Sequence, residues 1–192
     1  TVLSPNINQS QSGFTMEKNK GSLENMAIRF GLEAIKNVGE AAIKTILHER
    51  KKNGLFKSVS DLCLRVDSQK VNKKVLESLI KVGAMDQFGP RSAMLSALDR
   101  IQTDCDQANR KKNSGQFGLF DAPNQKASFQ APPDNLPQVD DLDEKEKLAL
   151  EKELLGIFVS QNPITKILAD FQELNLPKIN SLLDKDSNVG VK

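Results

Sequence analysis

The sequence predicts a mainly α-helical chain that carries a short β-hairpin near its start and a long disordered linker between two helical parts. Three observations predict it. Apolar residues recur at intervals of three and four from residue 31 to about residue 110, the spacing that lays one stripe along a helix. Residues 14–17 and 26–30 alternate apolar and polar around the turn-rich Lys18-Asn19-Lys20-Gly21-Ser22, the pattern of two antiparallel strands. Residues 113–138 hold Pro123, Pro132, Pro133 and Pro137 among Asn, Gln, Ser and Asp, with too little apolar surface to offset the entropy of ordering.

Taken in order, residues 1–12 are polar and aperiodic and predict an extended connector into the hairpin. Beyond Gly31, Leu32 and Ile35 form a first helical arm before a break at Asn37-Val38-Gly39. Ala42, Ile43, Ile46 and Leu47 then share one face of a helix ending near Asn53-Gly54. Ser58 stands three residues before Asp61, a capping-box-like start for a short helix buried through Leu62, Cys63 and Val66. Val71, Val75, Leu76, Leu79 and Ile80 make the next stripe, broken at Val82-Gly83-Ala84. Pro90 suits the first turn of a helix through Met94, Leu95, Leu98 and Ile101 that persists to about Arg110. Order returns over residues 143–159 behind an acidic first turn that complements the helix dipole. Pro163 opens a last helix carrying Ile167, Leu168 and Phe171, and the residues after Pro177 read as the first strand of a truncated domain.

Composition narrows the function. Lys and Arg number 27 against 25 Asp and Glu, a net charge of +2, which argues against a highly basic tail and against a wholly acidic disordered chain. No apolar run approaches the ~18–20 residues that span a bilayer, and residues 1–21 lack a secretion signal, so a cytoplasmic protein without a membrane partner is expected. Cys63 and Cys105 stand far apart without Cys-x-x-Cys spacing, and both are expected to be buried apolar fillers that build neither a disulfide framework nor a zinc site. His48 is the only imidazole and sits in a charged, solvated run. With neither phosphate-cradling glycine motif present, no catalytic residue, metal ligand or cofactor is expected in this segment.

The near-neutral total hides segregation. Residues 36–81 carry a net +6 and residues 134–153 a net −5, so the two parts face different partners. Within the basic part, Ile35-Lys36-Asn37-Val38-Gly39-Glu40 followed by an apolar stripe is close to a helix-hairpin-helix signature. Such a hairpin turns backbone N–H groups outward at the start of its second helix, where they and the dipole hold a phosphate oxygen without reading a base. Gly39 permits close approach, Val38 plugs the turn into the core, Asn37 tolerates the left-handed backbone usually given to Gly, and Lys36 or Lys44 adds charge. Val82-Gly83-Ala84 reads as a second, looser copy, which makes the domain a tandem one and favours double-stranded DNA over a plain helix connection. Gln116-Phe117-Gly118-Leu119-Phe120 is an apolar cluster in the polar linker. It reads either as an anchor folded back on the helices or as a docking peptide whose Leu119 and Phe120 enter a pocket while Gln116 hydrogen-bonds at the rim.

These residues resemble the alpha (catalytic) subunit of bacterial DNA polymerase III. The resemblance is carried by the string from Ile28 through Gly39, by Phe56-Lys57-Ser58 with Asp61-Leu62-Cys63, by the string from Val71 through Asp86, and by Glu151-Lys152-Glu153-Leu154-Leu155-Gly156-Ile157-Phe158 with Asn162-Pro163-Ile164. It implies a fingers-end connector and β-hairpin over 1–30, a tandem helix-hairpin-helix DNA-binding domain over 31–112, and a linker over 113–142. Helices over 143–176 and the truncated start of an OB domain over 177–192 would come next. It implies further that Gln116, Phe117, Gly118, Leu119 and Phe120 bind the sliding clamp (the beta subunit), and that other holoenzyme subunits are met through the parent chain. The magnesium-binding aspartates of the parent polymerase would lie upstream of Thr1, leaving this segment catalytically silent beside the bacterial nucleoid. A fragment of a helix-hairpin-helix DNA repair protein and a protein-binding helical adaptor are the alternatives; the first would need a catalytic Lys, Asp or metal cluster that the sequence lacks, and the second would ignore DNA at any salt.

Overall fold

The computed structural model describes residues 2–18, 26–113 and 131–160, with residues 111–113 described by their backbone alone. The hairpin turn, Gln116 to Phe120, the helix expected after Pro163 and the start of the OB domain lie outside the described residues. The order of elements is β1 (Val2–Leu3), β2 (Thr15–Lys18), β3 (Met26–Arg29), α1 (Glu40–Asn53), α2 (Val59–Arg65), α3 (Lys73–Lys81), α4 (Arg91–Asn113) and α5 (Glu144–Leu155). Single 3-10 turns occupy Leu32–Ala34 and Asp86–Phe88.

The expected strand pair forms, with β2 antiparallel to β3 and Met16 opposite Ile28. A third strand joins it: β1 lies parallel to β3 on the other side, Val2 opposite Ile28. The expected connector is therefore part of the fold. Its polar residues are spent on its own backbone and its neighbours' rather than on water. Asn6 Oδ1 accepts from Asn8 N at 2.8 Å. Ser10 Oγ accepts from Asn6 N at 2.9 Å and donates to Phe30 O at 2.7 Å. Asn8 exchanges two 2.8 Å bonds with the backbone of Phe56. The fully buried Ile7 donates its N–H to Ala84 O at 2.8 Å, which pins this turn against Val82-Gly83-Ala84.

The four helices α1 to α4 converge on a core whose fully buried members include Ile46, Leu62, Leu76, Leu79, Ile80, Met94, Leu98 and Ile101, the residues of the predicted stripes. The arm before Asn37 shortens to the 3-10 turn Leu32–Ala34, because Ile35 is extended and drives its side chain into the core. Cys63 and Cys105 are buried, as predicted, but α2 packing on α4 brings them to the same cleft.

Residues 131–142, expected to be linker, have no regular structure and are nevertheless laid along the helices. Asp134 accepts hydrogen bonds from Val59 N at 2.9 Å and Ser60 N at 2.8 Å, capping α2 from 75 and 74 residues away. Arg100 Nη2 donates to the carbonyls of Asp134 and Asn135. Leu136 packs against the core. Ser92 N donates to Asp141 Oδ1 at 3.2 Å, and Lys147 Nζ is 2.5 Å from Asp141 Oδ2. A capping box then starts α5: Glu146 N donates to Asp143 Oδ1 at 2.6 Å and Asp143 N to Glu146 Oε2 at 3.0 Å.

Slight burial works against the Asp141 carboxylate, but the Lys147 ammonium and the N–H groups of Ser92 and Leu142 outweigh it and hold its pKa at about 2, against an ordinary 3.8. A carboxylate whose folded pKa is depressed stabilises the fold above its unfolded pKa and loses that contribution as pH falls through the folded value. Acidification from about pH 4 to about pH 2 is therefore expected to release residues 140–147 from α4. The carboxyl carbon shift of Asp141 followed by NMR checks this; a midpoint at 3.8 or above would remove the contact from the account.

Candidate nucleic-acid interface

The first hairpin is built by four consecutive residues with different tasks. Ile35 and Val38 are buried and anchor the turn, while Lys36 and Asn37 between them are exposed. Asn37 has φ +70°, the left-handed backbone for which the sequence offered it in place of Gly. Its side-chain amide donates to Ser78 Oγ at 3.1 Å, so it ties the hairpin to α3. The Lys36 N–H is also committed, to Leu154 O at 2.9 Å at the end of α5. The Lys36 side chain is exposed beside this bond.

Gly39 is the N-cap residue of α1, with φ −78° and ψ 162°, a conformation any residue adopts. What its missing side chain supplies is room: a Cβ placed there would meet nothing within 4 Å, and no side chain caps the helix. The other described α-helices differ. Ser58 and Asp134 cap α2, Asn72 caps α3 through Val75 N, Asp141 binds Ser92 N in the first turn of α4, and Asp143 caps α5. The first-turn amides of α1 and the positive end of its dipole are thus left to an outside group. Glu40 stands in that same first turn, 2.6 Å from Lys44, both side chains about three-quarters exposed (78% and 74%). The hydrogen bond and the charge of Lys44 hold the Glu40 carboxyl below its usual range. Lys44 is therefore already paired, and Lys36 is the freer cation of the two.

Val82-Gly83-Ala84 does a different job from the one its sequence suggested. All three residues are buried. Gly83 N donates to Ile80 O and Ala84 N to Leu79 O, each at 2.9 Å, the paired bonds of a Schellman motif that closes α3. Gly83 has φ +80°, and a Cβ on it would run into the guanidinium of Arg91 and the carboxylate of Asp86. Its amide and its open side are both occupied, so this turn offers nothing to a phosphate. The chain continues from it into the 3-10 turn Asp86–Phe88 rather than into a helix N-terminus.

The group that fills this turn escaped the sequence reading. Arg91, with a side chain only 5% exposed, binds Asp86 through Nε at 2.9 Å and Nη2 at 2.8 Å, and donates through Nη1 to Lys81 O at 3.0 Å. Its Nη1 also lies 3.8 Å from Oε1 of Glu151, whose side chain is 1% exposed. Glu151 Oε2 accepts from Val159 N, Ser160 N and Ser160 Oγ. The available signal was a lone acid on the inner stripe of α5, at helical spacing from Leu148, Leu154 and Leu155. Among the described residues no group of three or more His, Cys, Asp and Glu is placed to hold a metal ion, and no helix is long and apolar enough to cross a membrane.

Residues 1–95 match the helix-hairpin-helix motif family. The chain is 40% identical over 165 residues to DNA polymerase III subunit alpha of Thermus aquaticus, covering 86% of this chain and 12% of the relative. It is 35% identical over 185 residues to the subunit of the same name from Vibrio cholerae, covering 94% and 15%, and 37% identical over 170 residues to that from Bacillus subtilis, covering 85% and 14%. The chain thus spans 12–15% of the length of these relatives.

The contrast between the glycines is testable. Gly83→Ala forces a side chain into a left-handed position already filled by Arg91 and is expected to cost about 1–3 kcal/mol or more. Gly39→Ser, at an N-cap with room for it, is expected to leave the melting temperature unchanged or raise it. Thermal unfolding of the two variants decides, and equal destabilisation would refute the difference in role.

Proposed function

From a helix-hairpin-helix domain in a chain similar to DNA polymerase III subunit alpha along most of its length, we propose that this segment holds duplex DNA by its backbone, without reading sequence, and helps seat a polymerase on its sliding clamp. One observation carries the first part: α1 is the α-helix, among those described, whose first turn no side chain caps, and a hairpin presents that turn to solvent beside the exposed Lys36. Backbone amides at a helix start recognise a phosphate oxygen and say nothing about the base attached to it. The longer protein is proposed to be a magnesium-dependent DNA-directed DNA polymerase of the bacterial cytoplasm, meeting its other subunits through the rest of its chain. The described residues do not fit a two-metal site, so no step of nucleotide transfer is assigned to them.

Titrating a labelled primed duplex at several salt concentrations tests the grip. Lys36→Ala is expected to reduce the slope of log affinity against log salt by about one unit, the share of one phosphate. Gly39→Asp is expected to place a carboxylate on the first-turn amides, which preserves or raises thermal stability while abolishing duplex binding. Undiminished binding by Gly39→Asp would overturn the site, and salt-independent indifference of the wild type to DNA would favour a protein-binding adaptor.

The clamp part rests on the residue pattern of Gln116, Phe117, Gly118, Leu119 and Phe120 and on the similarity to the polymerase subunits. Burying Leu119 and Phe120 in a clamp pocket would yield about 1.5–3 kcal/mol each before ordering costs, with Gln116 orienting the peptide. Once the hairpin holds duplex inside the clamp, the second attachment is intramolecular, and a weak peptide suffices to lengthen residence. Changing Leu119 and Phe120 together to Ala is expected to abolish clamp binding by calorimetry and leave duplex affinity intact. Clamp binding that survives the double change would end this part of the proposal alone.

A further inference from the structure

Cys63 and Cys105 are the only thiols in the sequence, and the packing of α2 on α4 brings them to one place. Cys105 Sγ lies 3.6 Å from the carbonyl of Ser60, one turn before Cys63 on α2. Residues three apart on a helix share a face, so this contact sets Cys105 against the stripe that carries Cys63. Cys105 is the donor in that contact, and Cys63 follows on the same face of α2. Both open onto a cleft of about 240 Å³ between α2, α3 and α4, whose rim is polar through Asn72, Lys73, Gln102 and Asp106.

Either sulfur can serve as the nucleophile in its thiolate form, with the other as the thiol that reacts second.

We propose that Cys63 and Cys105 form a reversible two-electron dithiol site, oxidised to an intramolecular disulfide by a peroxide that enters the cleft between α2, α3 and α4. One thiolate attacks a peroxide oxygen; the O–O bond breaks, hydroxide leaves, and that cysteine becomes a sulfenic acid. The second sulfur then attacks the sulfenic sulfur, the S–O bond breaks, and the second thiol's proton leaves with the hydroxide as water. Two thiols and one hydrogen peroxide thus give one disulfide and two waters, the sulfurs losing the two electrons that the peroxide gains. A dithiol reductant reverses the step by thiol–disulfide exchange. The new bond closes the sulfurs to about 2.05 Å and staples α2 to α4 across the core.

The test treats the folded chain with hydrogen peroxide, quenches it, unfolds it with a maleimide present and measures the intact mass and the peptide map. The expected product takes up no maleimide, is lighter by two hydrogens, yields a peptide joining Cys63 to Cys105, and regains both thiols with dithiothreitol. Its melting temperature without reductant is expected to exceed that of the reduced chain. At the same exposure either single Ser variant is expected to stop at a sulfenic acid on its remaining thiol, trapped by dimedone, with no internal cross-link. Two maleimides on the treated wild type, separate sulfinic acids, or a disulfide between two chains would each overturn the proposal.

Discussion

One buried guanidinium organises the second half of the domain. Arg91 accounts for the last carbonyl of α3 at Lys81, both oxygens of Asp86, the space above Gly83, and one side of the buried Glu151. Burying a charge is costly unless partners surround it, and a planar fork of five N–H donors is the side chain best able to collect them. Removing Arg91 would leave the buried Oε1 of Glu151 without its nearest cation, whereas without Glu151 the guanidinium keeps Asp86 and Lys81 O. The Schellman turn, the 3-10 turn after it and the docking of α5 all meet at this point. The conformation of Gly83 is therefore a consequence of packing, and a phosphate has no place in it.

What was legible in the sequence was whatever depends on local periodicity and local sterics. The stripes of α1 to α4 are read directly from apolar spacing, because each helix buries one face of its own residues. Asn37 was legible for the same reason, since its left-handed backbone is a property of a single residue. Residues 2–10 and 131–142 were not, because a polar composition looks the same whether its hydrogen bonds go to water or to a distant backbone. Asp134 capping α2 and Asn8 pairing with Phe56 are contacts across 75 and 48 positions, and no short-range pattern announces them. The meeting of Cys63 and Cys105 was hidden likewise: distance along the chain was taken for distance in space.

The segregation of charge acquires a structural meaning once the caps are placed. The acidic stretch over residues 134–153 does not face away from the basic part as a separate surface. Several of its carboxylates are consumed by the helices: Asp134 inside the basic part at the start of α2, and Asp141 and Glu151 beyond it, at the start of α4 and against Arg91. Each of these satisfies an amide or a cation that would otherwise compete for an external anion. The stretch thus folds the domain and silences the helix starts of α2 and α4 at once.

The exception gains its weight from that silence. Five α-helices are described; four have a carboxylate, hydroxyl or amide from a side chain on the first-turn amides, and α1 alone does not. An uncapped helix start is ordinary at a solvated terminus, where water serves the amides. It is less ordinary in a domain that brings Asp134 from 75 positions away to close a neighbouring helix. The hairpin before α1 is also held from both sides, by Asn37 on Ser78 and by the Lys36 amide on Leu154, so the free amides sit on a turn that two other elements hold in position. A fixed, uncapped, positively polarised helix start is what a backbone-reading contact requires. Glu40 sets the limit on it, since its carboxylate in the same turn opposes an incoming phosphate unless Lys44 keeps it engaged.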